Sequence, residues 1–390
     1  MSRIYLDYAA TTPLNAKVFE AMKPYFLEEW GNPSGIYREG QKSREAIDDA
    51  RHHISKILEC SLEEIVFVSS ATEANNLAIK GVLEAWRKKH HRTPHFITTP
   101  IEHSCIKNTA EYCASEGLAK VSTISVDRFG FVDPNDLKKN ITKDTALVSI
   151  HYVNNEIGTV EPIPRLGKIC EKQGIPFHVD AVQAAGILPL SVERLHCHLL
   201  SLSAHKFYGP KGVGLLYVRR GTEIVSQMHG GGQERKYRSG TENVASIVGM
   251  AMSLQIAEEM REKEYDRLQK LQIFGYELMK REMPKVKLNG PEIGEKRSPA
   301  NLHFSFGELD GESLLIRLDL NGVAASLGSA CTSGMIDPSH VLTAIGLSHE
   351  DARSGLRLTM GRGTTKKDLE KAILLIAQIV KTLRKEQEFA

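Results

Sequence analysis

Short runs of β-branched and aliphatic residues alternate with stretches of helical periodicity from about residue 60 to residue 220. Apolar runs at 65–68, 95–99, 146–153, 176–182, 199–203 and 213–219 predict strands, and several are apolar on both faces, as expected where a sheet is covered on both sides. Between them Ala74, Leu77, Ala78, Val82, Ala85 and Trp86 recur at helical spacing after Glu73, so one helix is expected to start near Thr72. This alternation predicts an α/β domain whose mostly parallel sheet is wrapped by helices.

A long stretch at 244–281, rich in Glu, Lys and Leu, predicts a helical connector between lobes. Beyond it strands at 301–306, 323–326 and 356–360 mix with helices at 312–320 and 366–384, the pattern of a smaller α+β domain. The expected division is a large domain at 13–255 and a small domain made of 1–12 and 256–390. The chain shows no internal repeat and no low-complexity segment.

Charge adds little. With 50 basic and 48 acidic side chains over 390 residues, nothing favours nucleic acid or an anionic membrane as a partner. No apolar run has the length of a signal peptide or a membrane span, so a cytoplasmic protein is expected. The six cysteines, Cys60, Cys105, Cys113, Cys170, Cys197 and Cys331, include no Cys-x-x-Cys pair, which fits a reducing compartment and argues against zinc and structural disulfides.

Four places carry candidate chemistry. The first is Ser69-Ser70-Ala71-Thr72-Glu73, a helix start at the end of a strand. It reads equally as a phosphate cradle of free N–H groups with the Thr72 hydroxyl, or as a Ser70-x-x-Glu73 capping box that needs no ligand. The second pairs Asp180, closing the strand His178-Val179-Asp180, with Lys206 after Ser203-Ala204-His205. An ion pair at the sheet edge is one reading. The other is a desolvated amine for a Schiff base with a carboxylate that keeps a pyridine nitrogen protonated, Ser203 and His205 adding phosphate donors. The glycine-rich tract at 208–214 favours the second, because such a turn suits close backbone approach near a site. The third is Cys331, in the small-residue tract Gly328-Ser329-Ala330-Cys331-Thr332-Ser333-Gly334, which reads as a loop thiol, whereas the other five cysteines read as inert packing. His103, closing another strand, is either a capped, solvated histidine or a group on the same ligand-facing edge.

Ordered stretches over nearly the whole chain resemble the class V aminotransferase-fold enzymes of fold type I, and within them the NifS/IscS-type cysteine desulfurases. They are Tyr5-Leu6-Asp7-Tyr8-Ala9-Ala10-Thr11-Thr12-Pro13, Gly31-Asn32-Pro33-Ser34, Ala71-Thr72-Glu73-Ala74-Asn75-Asn76, Glu102-His103, Asn154-Asn155-Glu156-Ile157-Gly158, His178-Val179-Asp180, His205-Lys206, Arg238-Ser239-Gly240-Thr241 and Gly328-Ser329-Ala330-Cys331-Thr332-Ser333. The resemblance implies pyridoxal 5'-phosphate bound through Lys206, with Asp180 at its ring nitrogen and His103 stacked on the ring. It implies Gln183 and Asn155 near the ring hydroxyl or the substrate, and Ala71, Thr72, Ser203 and His205 at the phosphate. Thr241 is similar to a residue that reaches the phosphate of the other subunit, which implies a homodimer. Arg357, with Asn32 and Asn155, would hold the carboxylate of L-cysteine, although Arg357 alone reads as a surface ion-pair partner. Cys331 would take up the sulfur as a persulfide, leaving L-alanine, and pass it to an iron–sulfur scaffold protein or another sulfur acceptor. No intrinsic metal site is implied; iron enters only through a cluster that the Cys331 persulfide ligates transiently on a scaffold. A selenocysteine lyase or another class V enzyme is the alternative. Ser70, Gly35, Tyr37, Ala204 and Leu327 depart from the usual family pattern without removing a catalytic group, and the short C-terminus lacks the tail that helps many relatives dock a scaffold.

Overall fold

The computed structural model describes residues 3–328 and 338–388. Its strands are β1 (Ile4–Tyr5), β2 (Ile65–Val68), β3 (His95–Thr98), β4 (Lys120–Thr123), β5 (Thr145–His151), β6 (Phe177–Asp180), β7 (Leu199–Ser203), β8 (Gly214–Val218), β9 (Lys287–Leu288), β10 (Asn301–Ser305), β11 (Val323–Ala324) and β12 (Gly355–Thr359). Seven of them form the central sheet in the order β2-β8-β7-β6-β5-β3-β4. All pairings are parallel except those of β8 with β2 and β7. The expected mostly parallel sheet is therefore present. The edge strand β4 escapes the hydrophobic pattern because Lys-Val-Ser-Thr has no apolar run and is only half-buried.

Side chains alternate between two cores. Leu200 and Leu202 of β7 pack with Ile47, Ile54 and Leu58 of the Arg38–Leu58 helix. On the opposite face Leu199, Val66 and Leu216 meet Ala74, Leu77, Ala78 and Val82 of the Ala71–His90 helix. Full burial of each such aliphatic side chain contributes about 1.5–3 kcal/mol, so the period-2 alternation sets the register as well as the stability.

The long Val244–Glu282 helix serves two cores in turn. Ile247, Met250, Leu254 and Ala257 pack on the central sheet, whereas Leu268, Leu271, Leu278 and Met279 join Leu302, Phe304, Leu356 and Leu358 of the antiparallel sheet β12-β10-β9. The Lys366–Glu388 helix covers that second core with Leu369, Ile373, Ile376 and Val380. The chain's start returns to it: β1 pairs with β11, and Leu6 is fully buried there. Among the described residues no helix is long and apolar enough to cross a membrane.

β2 is apolar and buried throughout, yet lies at the sheet's edge. Its free backbone groups are closed by side chains. Glu234 accepts from the Phe67 N–H at 2.8 Å, while Arg51 donates to the Ile65 carbonyl and, bidentately, to Glu234 at 3.0 and 2.7 Å. Arg235 also donates to the Ile65 carbonyl. The clamp holds Glu234, Arg235 and Lys236 at φ 43°, 54° and 68°, a left-handed run that costs non-glycine residues roughly 1 kcal/mol each. Glu234→Ala is expected to lower unfolding stability by about 3 kcal/mol, because it strands a buried guanidinium and a strand N–H. Denaturant melts of the two proteins check this, and a loss under about 1 kcal/mol would contradict it.

Candidate active site

β3, β5, β6 and β7 run parallel, and β8's two antiparallel pairings return β2 to the same direction. Their carboxyl ends therefore share one edge of the sheet, where open α/β sheets bind ligands. That edge carries Ala71 and Thr72 beyond β2, His103 beyond β3, Asn155 beyond β5, Asp180 at the end of β6, and Ser203 to Lys206 at the end of β7.

Asp180 is buried, 7% exposed. Its carboxylate accepts from the Val182 N–H at 3.0 Å and from Asn75 Nδ2 at 2.8 Å. Burial pushes its pKa above the usual carboxylate range, opposed by those two donors and by His103. The same Asn75 amide group donates to Cys105 Sγ at 3.1 Å, and that sulfur lies 3.0 Å from His103 Nδ1. The Cys105 N–H also donates to His103 Nδ1, at 3.2 Å. One chain of hydrogen bonds thus runs from Asp180 through Asn75 and Cys105 to His103, and the N–H directed at Nδ1 places the proton of a neutral His103 on Nε2. Burial lowers the His103 pKa; Asp180 opposes and Lys206 reinforces that shift. Asn75 and Cys105 were not singled out by sequence reasoning. Cys105 reads there as inert packing, and only the return of its helix's first turn onto His103 shows otherwise.

Lys206 and Asp180 form no ion pair among the described residues. Lys206 Nζ instead donates to the carbonyls of Ala9 and Ala10 at 2.7 and 2.8 Å, and Gln183 Nε2 reaches the Ala9 carbonyl at 3.0 Å. Burial, with Arg357 adding to it, lowers the Lys206 pKa to about 8. Imine formation needs the neutral amine, so capture of pyridoxal phosphate by the apoprotein should accelerate roughly tenfold per unit as pH rises and level off above about 8. Stopped-flow absorbance would read this; a rate that keeps climbing to pH 10 would mean that the amine is not perturbed.

At the start of the Ala71–His90 helix, the Ser70 hydroxyl accepts from the Glu73 N–H at 3.1 Å, which is half of the expected capping box. The Glu73 carboxylate turns away, to Ser69 and to Arg238 at 2.9 Å. Ala71 and Thr72 stand beside this cap, with Ser203 and His205 at the end of β7. His205 is held neutral, its pKa lowered to about 4 by burial and by Lys206 and Lys211, and its Nδ1 lies 3.1 Å from Thr11 Oγ1. Gly214 keeps strand and helix start in close approach: a β-carbon there would stand 2.6 Å from the Ser70 carbonyl carbon and 3.0 Å from the Ala71 nitrogen.

Arg357 projects from β12, 4% exposed. It donates to Asp7 Oδ1 at 2.9 Å and to the Asn155 carbonyl at 2.8 Å, and its Nε is buried without a partner among the described residues. It is thus no surface ion-pair residue. A cavity between the two cores is lined by Lys206, Asn155 and Gln183 but not by His103, Asp180 or Thr72. Asn32 and Thr241 are exposed, and neither hydrogen-bonds to this group of residues among the described ones. Arg44 ties their segments together, donating to the Pro33 carbonyl and to Glu242. Cys331 lies outside the described residues. The other five cysteines all have thiol pKa values raised, first of all by burial: about 12 at Cys60, Cys105, Cys170 and Cys197, and upward at Cys113.

The family model for aminotransferase class-V matches residues 4–372. The chain belongs to that family. Among the class-V proteins it is 47% identical to the cysteine desulfurase IscS of Dictyoglomus turgidum over 381 residues, covering 98% of this chain and 95% of the relative. It is 43% identical to the mitochondrial cysteine desulfurase of Arabidopsis thaliana, covering 98% and 83%. A solved NifS-like protein superposes with a TM-score of 0.90 at 35% identity, covering 98% of this chain and all of that one. The structure of SspA in complex with cysteine superposes with a TM-score of 0.79 at 36% identity, covering 92% and 98%. Class-V enzymes of this kind depend on pyridoxal phosphate, and the class-V site here fits it chemically. A buried carboxylate, a lysine with lowered pKa, a helix start and an orphaned arginine N–H converge on one sheet edge.

Proposed function

We propose that this chain is a cysteine desulfurase that moves the sulfur of L-cysteine onto Cys331 and releases L-alanine. The observation that carries this reading is the convergence of His103, Asp180 and a Lys206 amine of lowered pKa at one sheet edge, in a chain 47% identical to a cysteine desulfurase.

Pyridoxal phosphate, when bound, supplies an electron sink for the pair released at the substrate Cα. Lys206 would hold it covalently, Asp180 would keep its ring nitrogen protonated, and His103 would stand against its ring. Ala71, Thr72, Ser203 and His205 would bind its phosphate, and Gln183 and Asn155 would lie by its hydroxyl. Arg357, with Asn155 and Asn32, receives the substrate carboxylate, for which a planar guanidinium is suited. Lys206 then takes the Cα proton. The Cys331 thiolate would attack the substrate Sγ; the S–S bond forms as the Cβ–S bond breaks, the electron pair left on Cβ takes a proton, and Lys206 returns a proton to Cα to give alanine.

The exposed Asn32 and Thr241 find their roles in a homodimer, Thr241 completing the partner's phosphate site. An apolar surface near them supports this: Phe26, Leu27, Trp30, Ile36 and Tyr37 are 52–92% exposed. The two cores support a large domain at 13–255 and a small one at 1–12 and 256–390, joined within the Val244–Glu282 helix. The sulfur goes on to an acceptor in the cytoplasm, an iron–sulfur scaffold protein in this reading.

The test is turnover of L-cysteine by the purified yellow holoenzyme, with alanine and sulfane sulfur both quantified. Equal yields are expected, together with a pyridoxyl adduct on Lys206 after borohydride reduction. A reduced protein of unmodified mass, or pyruvate in place of alanine, would sink the reading; a strong preference for selenocysteine would move it to a lyase.

A further inference from the structure

Behind Asp180 and His103 lies a buried group of ionisable side chains that the scheme above does not use. His151, the last residue of β5, is register-paired with Asp180 on β6, so the two side chains project from the same face of the sheet. His151, Glu102 and Glu161 are 4%, 0% and 1% exposed. His151 Nδ1 lies 3.0 Å from Glu102 Oε1, the His151 N–H donates to the same oxygen at 3.1 Å, and Thr99 Oγ1 donates to it at 2.8 Å. On its other side His151 Nε2 faces Glu161 Oε1 at 3.9 Å, and the Val132 N–H donates to Glu161 Oε2 at 3.1 Å.

The geometry selects a protonation state. Nδ1 must donate to Glu102, so a neutral ring would turn the Nε2 lone pair toward a second carboxylate. Two buried carboxylates without a cation between them carry a large desolvation cost. An imidazolium donates toward both, and 3.9 Å leaves the Glu161 contact to charge or to one bridging water. Burial opposes the charge, but Glu102, Glu161 and Asp180 together raise the His151 pKa to about 9. Among the described residues these three carboxylates raise it; burial lifts the Glu161 carboxyl to about 7, which the His151 charge opposes, and Asp127 faces Glu161 from behind.

Glu102 immediately precedes His103, and its carbonyl accepts from His340 Nε2 at 2.9 Å. Its side chain thus fastens the turn between β3 and the Ser104–Ser115 helix, from which the His103 ring projects. Glu102 also pushes the Asp180 pKa upward, toward the neutral form that could not hold a proton on a ring nitrogen. A positive charge on His151, register-paired with Asp180 and 3.0 Å from Glu102 Oε1, opposes that push. We propose that His151 is a positioning residue of the active site: a buried imidazolium that pins Glu102, and with it the turn carrying His103, and that stands as a fixed positive charge beside Asp180. The inference rests on the desulfurase reading for its effect on turnover, but not for the charge on the ring.

Nitrogen-15 NMR of histidine-labelled wild-type apoprotein measures that charge directly. Both His151 ring nitrogens are expected to be protonated at pH 7 and to stay so until above about pH 8; a neutral ring at pH 7 overturns the proposal. His151→Gln, which keeps a side-chain donor but no charge, is expected to weaken pyridoxal phosphate binding to the apoprotein about tenfold, the equivalent of one pKa unit at Asp180. It should lower kcat for alanine formation by a similar factor, with KM changed less than about twofold. A folded variant with wild-type cofactor affinity and kcat would defeat the proposal. If His151→Gln does not fold, the wild-type ring titration decides alone. A wild-type protein that forms no Lys206 adduct removes the desulfurase reading and leaves the NMR result standing.

Discussion

Lys206→Ala should lower cysteine turnover by about 10⁴-fold or more, since general base catalysis by a positioned side chain and covalent catalysis are both lost with one amine. The amine sits where both tasks need it, held over the sheet edge by the Ala9 and Ala10 carbonyls with its pKa lowered to about 8. Those carbonyls belong to a segment that water reaches once the side chain is gone, so the fold should survive and the loss should fall on kcat. Single-turnover alanine formation checks this, alongside thermal melts of the variant. A variant within tenfold of wild type would show that another group takes the Cα proton.

Cys331→Ala should behave differently. It is expected to keep the cofactor absorbance and the Lys206 adduct while losing alanine formation by about 10³-fold, because only the sulfur-accepting step lacks its nucleophile. Burial raises the pKa values of the other five thiols, to about 12 at four of them, so none is a thiolate near neutral pH. Cys105, although it touches His103, is a hydrogen-bonding thiol and no substitute attacker. Mass spectrometry of wild-type protein under cysteine should show one added sulfur, on the peptide containing Cys331. Persulfide on Cys105 instead, or full activity in Cys331→Ala, would refute the assignment.

Within the chain itself, hydrophobic periodicity determined the number and order of most buried elements. β2 and β7 lie where their apolar runs predict, and the connector helix ends within a residue of its expected bounds, because burial on both faces leaves a sequence little freedom. β4 escaped for the converse reason: an edge strand needs no apolar face. Tertiary structure alone decided which side chains meet. Nothing in sequence spacing says that Asp7 would pair with Arg357 across 350 residues, that Glu234 and Arg51 would close the edge of β2, or that Asn75 and Cys105 would link Asp180 to His103. Such contacts depend on strand order and on two helix starts converging at one sheet edge. Local pattern encodes burial, but proximity between distant residues is created only when the sheet assembles.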